Sequence, residues 1–350
     1  MAKSVESIDS IMAEMNKGSK NNIIQKGVRG AGDYTDYKRI PFTSPRLNYI
    51  TYGGLPQGKL IEFYGEKGGG KTSTALDIVA NYQHMPDAKS VLYIDAENTL
   101  DVVWANKLGV DTDDLLLYAP EEPCAETIFK YATKLMQTGE VGLVIIDSLG
   151  VLMSNKAFEG TTEDKTFGGI SMALTDFSKR AVGLCNTNSC TLIGINQERE
   201  VIGSMYGAKK TTGGNAWQYN VAVRLDFNKG HFFDNKYAKA ANTIENPFGN
   251  IVQVAMTKNK TCPPNRRTGF YTLRYDIGID YLYDLVDMCV TKYGIIDKDG
   301  SWYTLMNPET GDKLKKLQGV SQVTEYLSDE ANLETLKMYE DYFERKIKED

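Results

Sequence analysis

The stretch Gly65, Glu66, Lys67, Gly68, Gly69, Gly70, Lys71, Thr72 constrains the fold of this chain more than any other. It lies between an apolar run, Leu60-Ile-Glu-Phe-Tyr64, that reads as a strand and a helical pattern over residues 71–83. A strand that turns through glycines into a helix points several backbone N–H groups at one spot, where the helix dipole also favours an anion. Such a loop holds the phosphates of a nucleoside triphosphate. Lys71 reaches the β- and γ-phosphates, Thr72 ligates Mg²⁺, and Ser73 follows within the nucleotide-binding segment.

The surrounding pattern agrees with this context. Val91-Leu-Tyr-Ile94, Gly142-Leu-Val-Ile-Ile146 and Cys190-Thr-Leu-Ile-Gly-Ile195 read as buried strands, separated by helical patterns over 101–108, 124–138 and 170–187. Near-continuous apolar strands alternating with helices predict a mostly parallel sheet with helices on both faces. Three further strands over 221–227, 249–257 and 270–275, joined without helices, predict an antiparallel extension. Upstream, Val5, Ile8, Ile11, Met12 and Met15 form a helical stripe, followed by a polar stretch from Lys17 to Asp36. Beyond residue 286 a hairpin around Asp299-Gly300 and two helices, Val320–Leu327 and Leu333–Ile347, predict a small α/β appendage. The expected division is 1–38, 39–285 and 286–350.

Composition narrows the function classes. Hydrophobic residues at 41% and charged residues at 25% suit an ordinary globular protein. No apolar run approaches the roughly 18 residues that span a bilayer, and the N-terminus lacks a signal-peptide layout, so a cytoplasmic protein is expected. Five cysteines without Cys-x-x-Cys spacing and two histidines give no zinc or disulfide framework. A net charge of −6 argues against nucleic-acid binding by the whole surface, so any such contact must be local.

Several polar residues stand at strand ends. Asp147, after Leu143-Val-Ile-Ile146, faces the ligand crevice of a parallel sheet and can hold Mg²⁺ through water. Glu97, with Asp95 as a competitor, can orient the attacking water. Gln197 can sense the γ-phosphate and pass the signal into the loop 198–212, which carries Arg199, Tyr206, Lys209 and Lys210, then Thr211, Thr212, Gly213, Gly214 and Asn215. Basic residues, an aromatic ring and glycines can line a nucleic-acid backbone. A second loop over 159–169, ending at Gly168 and Gly169, is acidic. Lys258 and Lys260 read from spacing alone as a solvated turn.

Taken in order, these motifs resemble the bacterial RecA recombinases. The phosphate loop, Tyr93-Ile-Asp-Ala-Glu97, Leu108-Gly-Val-Asp111, Ile145-Ile-Asp-Ser148, Ile195-Asn-Gln197, Thr211-Thr-Gly-Gly-Asn215, Lys258-Asn-Lys260 and Gly300-Ser-Trp-Tyr303 keep the family's order over nearly the whole chain. The resemblance implies a RecA-type ATPase core, an N-terminal polymerisation helix, two DNA-binding loops (loop 1 over 159–169 and loop 2 over 198–212) and a small C-terminal domain. It assigns water activation to Glu97, the Walker-B role to Asp147 and the sensor role to Gln197. Lys258 and Lys260 become the pair that reaches the ATP of the adjacent subunit. Asp101 and Trp104 match positions bordering the adenine. Lys179 and Arg180 match a basic pair behind loop 1, and Tyr206, Gly168 and Gly169 join the DNA-facing set. The implied activity is DNA-stimulated ATP hydrolysis by a helical filament on single-stranded DNA that pairs with homologous duplex DNA and exchanges strands. Single-strand-binding and loader proteins are further expected partners.

The chain also departs from its relatives. Leu282 stands where a second adenine-flanking tyrosine is expected, and about 20 extra residues fall near 230–248. The divergence suits a bacteriophage-encoded homologue. The rival reading is a RecA-like hexameric DNA motor or helicase, which shares the phosphate loop but not the Lys258–Lys260 pair with the N-terminal helix.

Overall fold

The computed structural model describes residues 7–18, 37–155, 169–200 and 209–349, in two units that divide after Asp36. In the first unit, helix α1 (Ile8–Asn16) starts where the Ser7 hydroxyl accepts the Ser10 N–H at 3.2 Å. The helix buries none of its residues, and Ile8, Ile11 and Met15 of the apolar stripe are exposed.

The second unit runs β1 (Arg39–Ile40), α2 (Pro45–Ile50), β2 (Leu55–Pro56), β3 (Leu60–Gly65) and α3 (Lys71–Gln83). It continues with β4 (Ser90–Asp95), α4 (Val102–Lys107), β5 (Leu115–Tyr118), α5 (Ala125–Thr138), β6 (Val141–Asp147), α6 (Gly169–Asn188) and β7 (Thr191–Ile195). Next come β8 (Glu198–Glu200), β9 (Lys209–Thr211), α7 (Gly214–Asn220), β10 (Val223–Phe233), β11 (Gly249–Asn259), β12 (Thr268–Arg274) and β13 (Gly278–Ile279). The C-terminal part holds α8 (Tyr281–Thr291), β14 (Ile296–Asp299), β15 (Trp302–Met306), β16 (Lys313–Gln318), α9 (Val320–Ser328) and α10 (Leu333–Glu349).

Nine strands form one sheet in the order β13-β12-β11-β10-β3-β7-β6-β4-β5. The six strands from β10 to β5 are parallel, and β11 to β13 extend the sheet antiparallel from β10. Strand alternation builds a core on each face. Ile61, Phe63, Tyr93, Leu143 and Ile145 pack with Ala75, Leu76, Ile78 and Val79 of α3. Leu92, Ile94, Val144 and Ile146 pack with α5 and α6. In α5 the buried residues Ala125, Ile128, Phe129, Ala132 and Met136 keep helical spacing. The helix ends at Gly139, whose φ of 77° is the left-handed cap that glycine supplies without steric cost.

The antiparallel sheet β14-β15-β16 and helices α8 to α10 share a separate apolar cluster that includes Leu285, Val286, Cys289, Leu305, Val323, Leu327 and Tyr339. Helix α8 spans the expected division at 285/286 and contributes to this cluster. Leu282 also packs there. Of the residues expected as extra near 230–248, those to Phe233 continue β10, with a register slip between Lys229 and Phe232. They return through Tyr237, whose ring stacks on Phe233 (centroids 5.5 Å) and on Tyr283 at the start of α8 (4.1 Å). Its hydroxyl donates to Asp280 and accepts from Arg274 Nη1. Among the described residues no helix is long and apolar enough to cross a membrane.

Candidate nucleotide and DNA site

Strand β3 delivers the chain into the phosphate loop at the C-terminal edge of the parallel sheet. Gly65 has φ 134°, and a Cβ there would sit 2.1 Å from the Phe227 carbonyl oxygen, so this position requires glycine. Gly68 and Gly70 also take positive φ, and Gly70 is the N-cap of α3. A Cβ at Gly69 would sit 2.7 Å from the same Phe227 oxygen, and the Glu66 carboxylate accepts the Lys229 N–H at 2.7 Å, which ties the loop to β10. Lys67 is exposed. Lys71 Nζ donates to the carbonyls of Gly65 (3.1 Å) and Glu66 (2.6 Å), and burial lowers its pKa. The ammonium thus lies against the loop's own carbonyls, where phosphate oxygens would offer it a better acceptor.

Thr72 Oγ1 and Tyr93 Oη both donate to Asp147 Oδ2, at 2.8 and 2.9 Å. Burial pushes the Asp147 carboxyl up to about 6, and the carboxylates of Glu97 and Asp95 add to the rise. Glu97 Oε1 accepts from Ser148 Oγ at 2.5 Å and from Gln197 Nε2 at 2.9 Å. The ends of β4, β6 and β7 therefore bring Glu97, Asp147–Ser148 and Gln197 together. Asp95 instead accepts the Leu100 N–H at 2.8 Å and shapes the turn after β4. Asp101 caps α4 by accepting the Trp104 N–H at 2.9 Å, and the Trp104 indole donates to Ser73 Oγ at 3.1 Å. That bond seats the ring beside the first turn of α3.

Lys258 and Lys260 lie elsewhere. Lys258 pairs in register with Arg224, near the start of β10, whereas Gly65 of the phosphate loop pairs with Phe227. Lys258 Nζ donates to the carbonyls of Gln218 (2.5 Å) and Tyr219 (2.9 Å), and Lys260 Nζ to that of Tyr219 (3.3 Å). These are the last carbonyls of α7, the natural seat for a cation. Burial, with Lys260 and Arg224 nearby, brings the Lys258 pKa down to about 8. The spacing-based picture of a solvated turn is corrected for Lys258, which lies within β11, whereas Lys260, just past the strand, is exposed.

Of the segment expected as one loop over 198–212, the described ends pair as a ladder, with Arg199 opposite Lys210 and Glu198 opposite Thr211, and residues 201–208 lie outside the described residues. Arg199 Nη2 donates to the Gly150 carbonyl at 2.6 Å, and Lys210 is exposed. Lys209 contributes backbone to β9. Thr211 is buried, Gly213 is the N-cap of α7, and Gly214 and Asn215 open the helix. A Cβ at Gly213 would meet Leu174 at 2.2 Å. Lys179 and Arg180 are exposed on α6, and Gly169 begins that helix. Gly168 and Tyr206 lie outside the described residues. Ser148 and Tyr93 are site residues to which spacing assigned no role, and Asn196, which adjoins Gln197 from behind the site, had none either. The only signal for them was adjacency to Asp147, Glu97 and Gln197 in the motifs.

The fold and site define a phosphate-loop nucleotide-binding protein of the α/β class, with polar residues from three neighbouring strand ends. A family profile for the RecA N-terminal domain matches residues 6–280. Proteins called Protein RecA are similar over most of their length. That of Fusobacterium nucleatum is 32% identical over 91% of this chain and 80% of its own. That of Rhodococcus jostii is 32% identical over 98% of this chain and 92% of its own, and that of a Wolbachia species 36% over 79% and 72%. The chain belongs to the RecA family. It is an ATP-binding recombination protein and DNA-dependent ATPase that self-associates into filaments on single-stranded DNA and carries out strand exchange.

Proposed function

We propose that ATP is hydrolysed at sites shared between successive subunits of the filament. Within one subunit Lys71 and the N–H groups of residues 65–72 hold the phosphates, Glu97 orients the attacking water, and Gln197 faces the γ-phosphate. Lys258 and Lys260 of the neighbouring subunit complete the site, and Asp101 and Trp104 border the adenine. The observation that carries this reading is the bond from Gln197 to Glu97, which joins the proposed base to the strand end that leads into loop 2. Mg²⁺ fits beside Thr72 and Asp147. Thr72 Oγ1 and Asp147 Oδ2, 2.8 Å apart, are a hydroxyl and a carboxylate oxygen, the hard donors that such a cation takes. When bound, the ion neutralises phosphate charge.

DNA contact falls to Lys179, Arg180, Arg199, Tyr206, Lys209 and Lys210, and to the backbone of residues 168–169 and 211–215. Phosphate contacts suffice because base pairing reads sequence, and a filament repeats them along one strand. The stripe of α1 docks on an adjacent subunit, residues 39–285 form the ATPase core, and residues 286–350 form the appended domain. The protein acts in the cytoplasm, that of a host if it is phage-encoded, with single-strand-binding and loader proteins as partners.

The test compares Lys71→Ala and Glu97→Gln. Lys71→Ala abolishes ATP-dependent binding to a labelled single-stranded oligonucleotide. Glu97→Gln still forms ATP-dependent filaments but hydrolyses ATP about 10²-fold more slowly or worse. Nucleotide-dependent DNA binding by Lys71→Ala, or rapid turnover by Glu97→Gln, overturns these assignments.

A further inference from the structure

Next to the hydrolysis site lies a buried polar cluster that this chemistry does not use. Glu62, in the middle of β3, and Asn196, just past β7, are both fully buried. Asn196 Nδ2 donates to Glu62 Oε1 at 2.9 Å and to the Thr212 carbonyl at 2.8 Å, while Asn196 Oδ1 accepts the Thr212 N–H at 3.3 Å. The side-chain amide thus pairs with both backbone groups of one residue, as a neighbouring strand would. The same Oδ1 accepts the Gln197 N–H at 3.0 Å. On its other oxygen Glu62 accepts from Arg224 Nε at 2.5 Å, and the guanidinium lies over the Tyr64 ring at 4.3 Å. Thr211 Oγ1 accepts from Gln218 Nε2 at 3.1 Å, and the Gln218 carbonyl takes Lys258.

We propose that Asn196, oriented by Glu62, is the positioning residue that makes loop 2 answer to the nucleotide. It clasps the exit of the loop at Thr212 and adjoins Gln197, so a shift of Gln197 toward a γ-phosphate is carried to Thr211–Thr212 and on to α7. Glu62 makes this possible for a physical reason. A buried carboxylate with one oxygen on Arg224 leaves the other to take an N–H of the Asn196 amide, which fixes which end of that amide donates and which accepts. With the amide so fixed, its remaining donor and its acceptor match the Thr212 C=O and N–H. The proposal rests on the reading of Gln197 as a γ-phosphate sensor.

Spatial continuity alone does not demonstrate coupling, so the experiment measures it. The affinity of full-length protein for a fluorescent oligo-dT is determined with and without a slowly hydrolysed ATP analogue, alongside the affinity of DNA-free protein for a fluorescent nucleotide and the thermal midpoint. Asn196→Ala is expected to bind nucleotide as the parent does but to lose about tenfold or more of the analogue-induced gain in DNA affinity.

The exchange Glu62→Gln with Asn196→Asp separates positioning from mere structure. It restores a donor–acceptor pair between the two side chains and keeps one carboxylate in the cluster, moved from position 62 to position 196 with Arg224 now on an amide oxygen, but it leaves the Thr212 carbonyl without its donor. The double variant is therefore expected to recover part of the thermal midpoint lost by Asn196→Ala and still lack the coupling. A folded double variant with parental coupling overturns the proposal, as does parental coupling in Asn196→Ala. If Asn196→Ala does not fold, the double variant alone decides. If the parent itself shows no nucleotide-dependent DNA affinity, the sensor reading fails instead.

Discussion

Burial sets the ionisation of Asp284. It is 2% exposed and accepts the Thr272 N–H on both carboxyl oxygens, at 3.2 and 3.1 Å. Burial pushes its pKa from 3.8 up to about 7, the Thr272 hydrogen bonds and Arg46 pull down, and Asp280 pushes up. Between these pH values the folded state holds a proton that the unfolded chain has lost. Stability therefore falls as pH rises through about 4 to 7 and stays lower above that. Asp284→Asn removes the titration, so its stability relative to the parent should improve by up to about 4 kcal/mol between pH 4 and pH 8. Thermal unfolding at both ends of that range checks this, and a parallel pH dependence in the two proteins counts against it. At this scale the sequence was legible where a residue works through its own backbone position. The phosphate-loop glycines, Asp147 and Gln197 sit at strand ends that periodicity located. Asn196, Tyr93 and Ser148 were not legible, because their roles depend on partners 16, 54 and 51 residues away.

Elements buried on both faces were the easiest to find. Strands β3, β4, β6 and β7 are apolar almost throughout, and α3 and α5 were located to within a residue of their ends. Strand β5 went unassigned because it is an edge strand, with Leu116 and Leu117 exposed. Strand β16, Lys313–Gln318, reads as a polar run because only its ladder with β15 makes it a strand. Helix α8 was missed because the domain division was drawn through it. Residues 230–248 link the antiparallel strands β10 and β11. Tyr237 joins the insert to α8 through Tyr283 and Asp280, and to β12 through Arg274. Tyr237→Ala should lower stability by roughly 2–3 kcal/mol, the cost of an aromatic stack and a hydrogen bond to a charged group. Tyr237→Phe should lose only the hydrogen-bond share. Denaturant unfolding of both variants decides, and equal losses would mean that the ring contributes little.

For the whole molecule, the separation of Lys258 and Lys260 from the phosphate loop of their own subunit has a quantitative outcome. Lys71→Ala removes the cis lysine and keeps the proposed trans pair, whereas Lys260→Ala keeps Lys71 and removes one lysine of that pair. Neither alone should hydrolyse ATP at the parental DNA-stimulated rate. In a head-to-tail assembly at equal mixing, about a quarter of the interfaces place an intact Lys71 opposite an intact Lys260. DNA-stimulated hydrolysis should therefore reappear in the mixture, and its absence at every ratio would tell against a shared site. The chain also carries its own optical probes of such states. Its three tryptophans occupy three settings: Trp104 hydrogen-bonded to Ser73 beside the phosphate loop, Trp217 fully buried in the middle of α7, and Trp302 43% exposed on β15. Emission from an indole in contact with protein alone differs in colour and quenching from that of one facing water. With two rings at a time replaced by phenylalanine, unlabelled protein can report on nucleotide arrival, loop 2 and the C-terminal sheet as separate light signals.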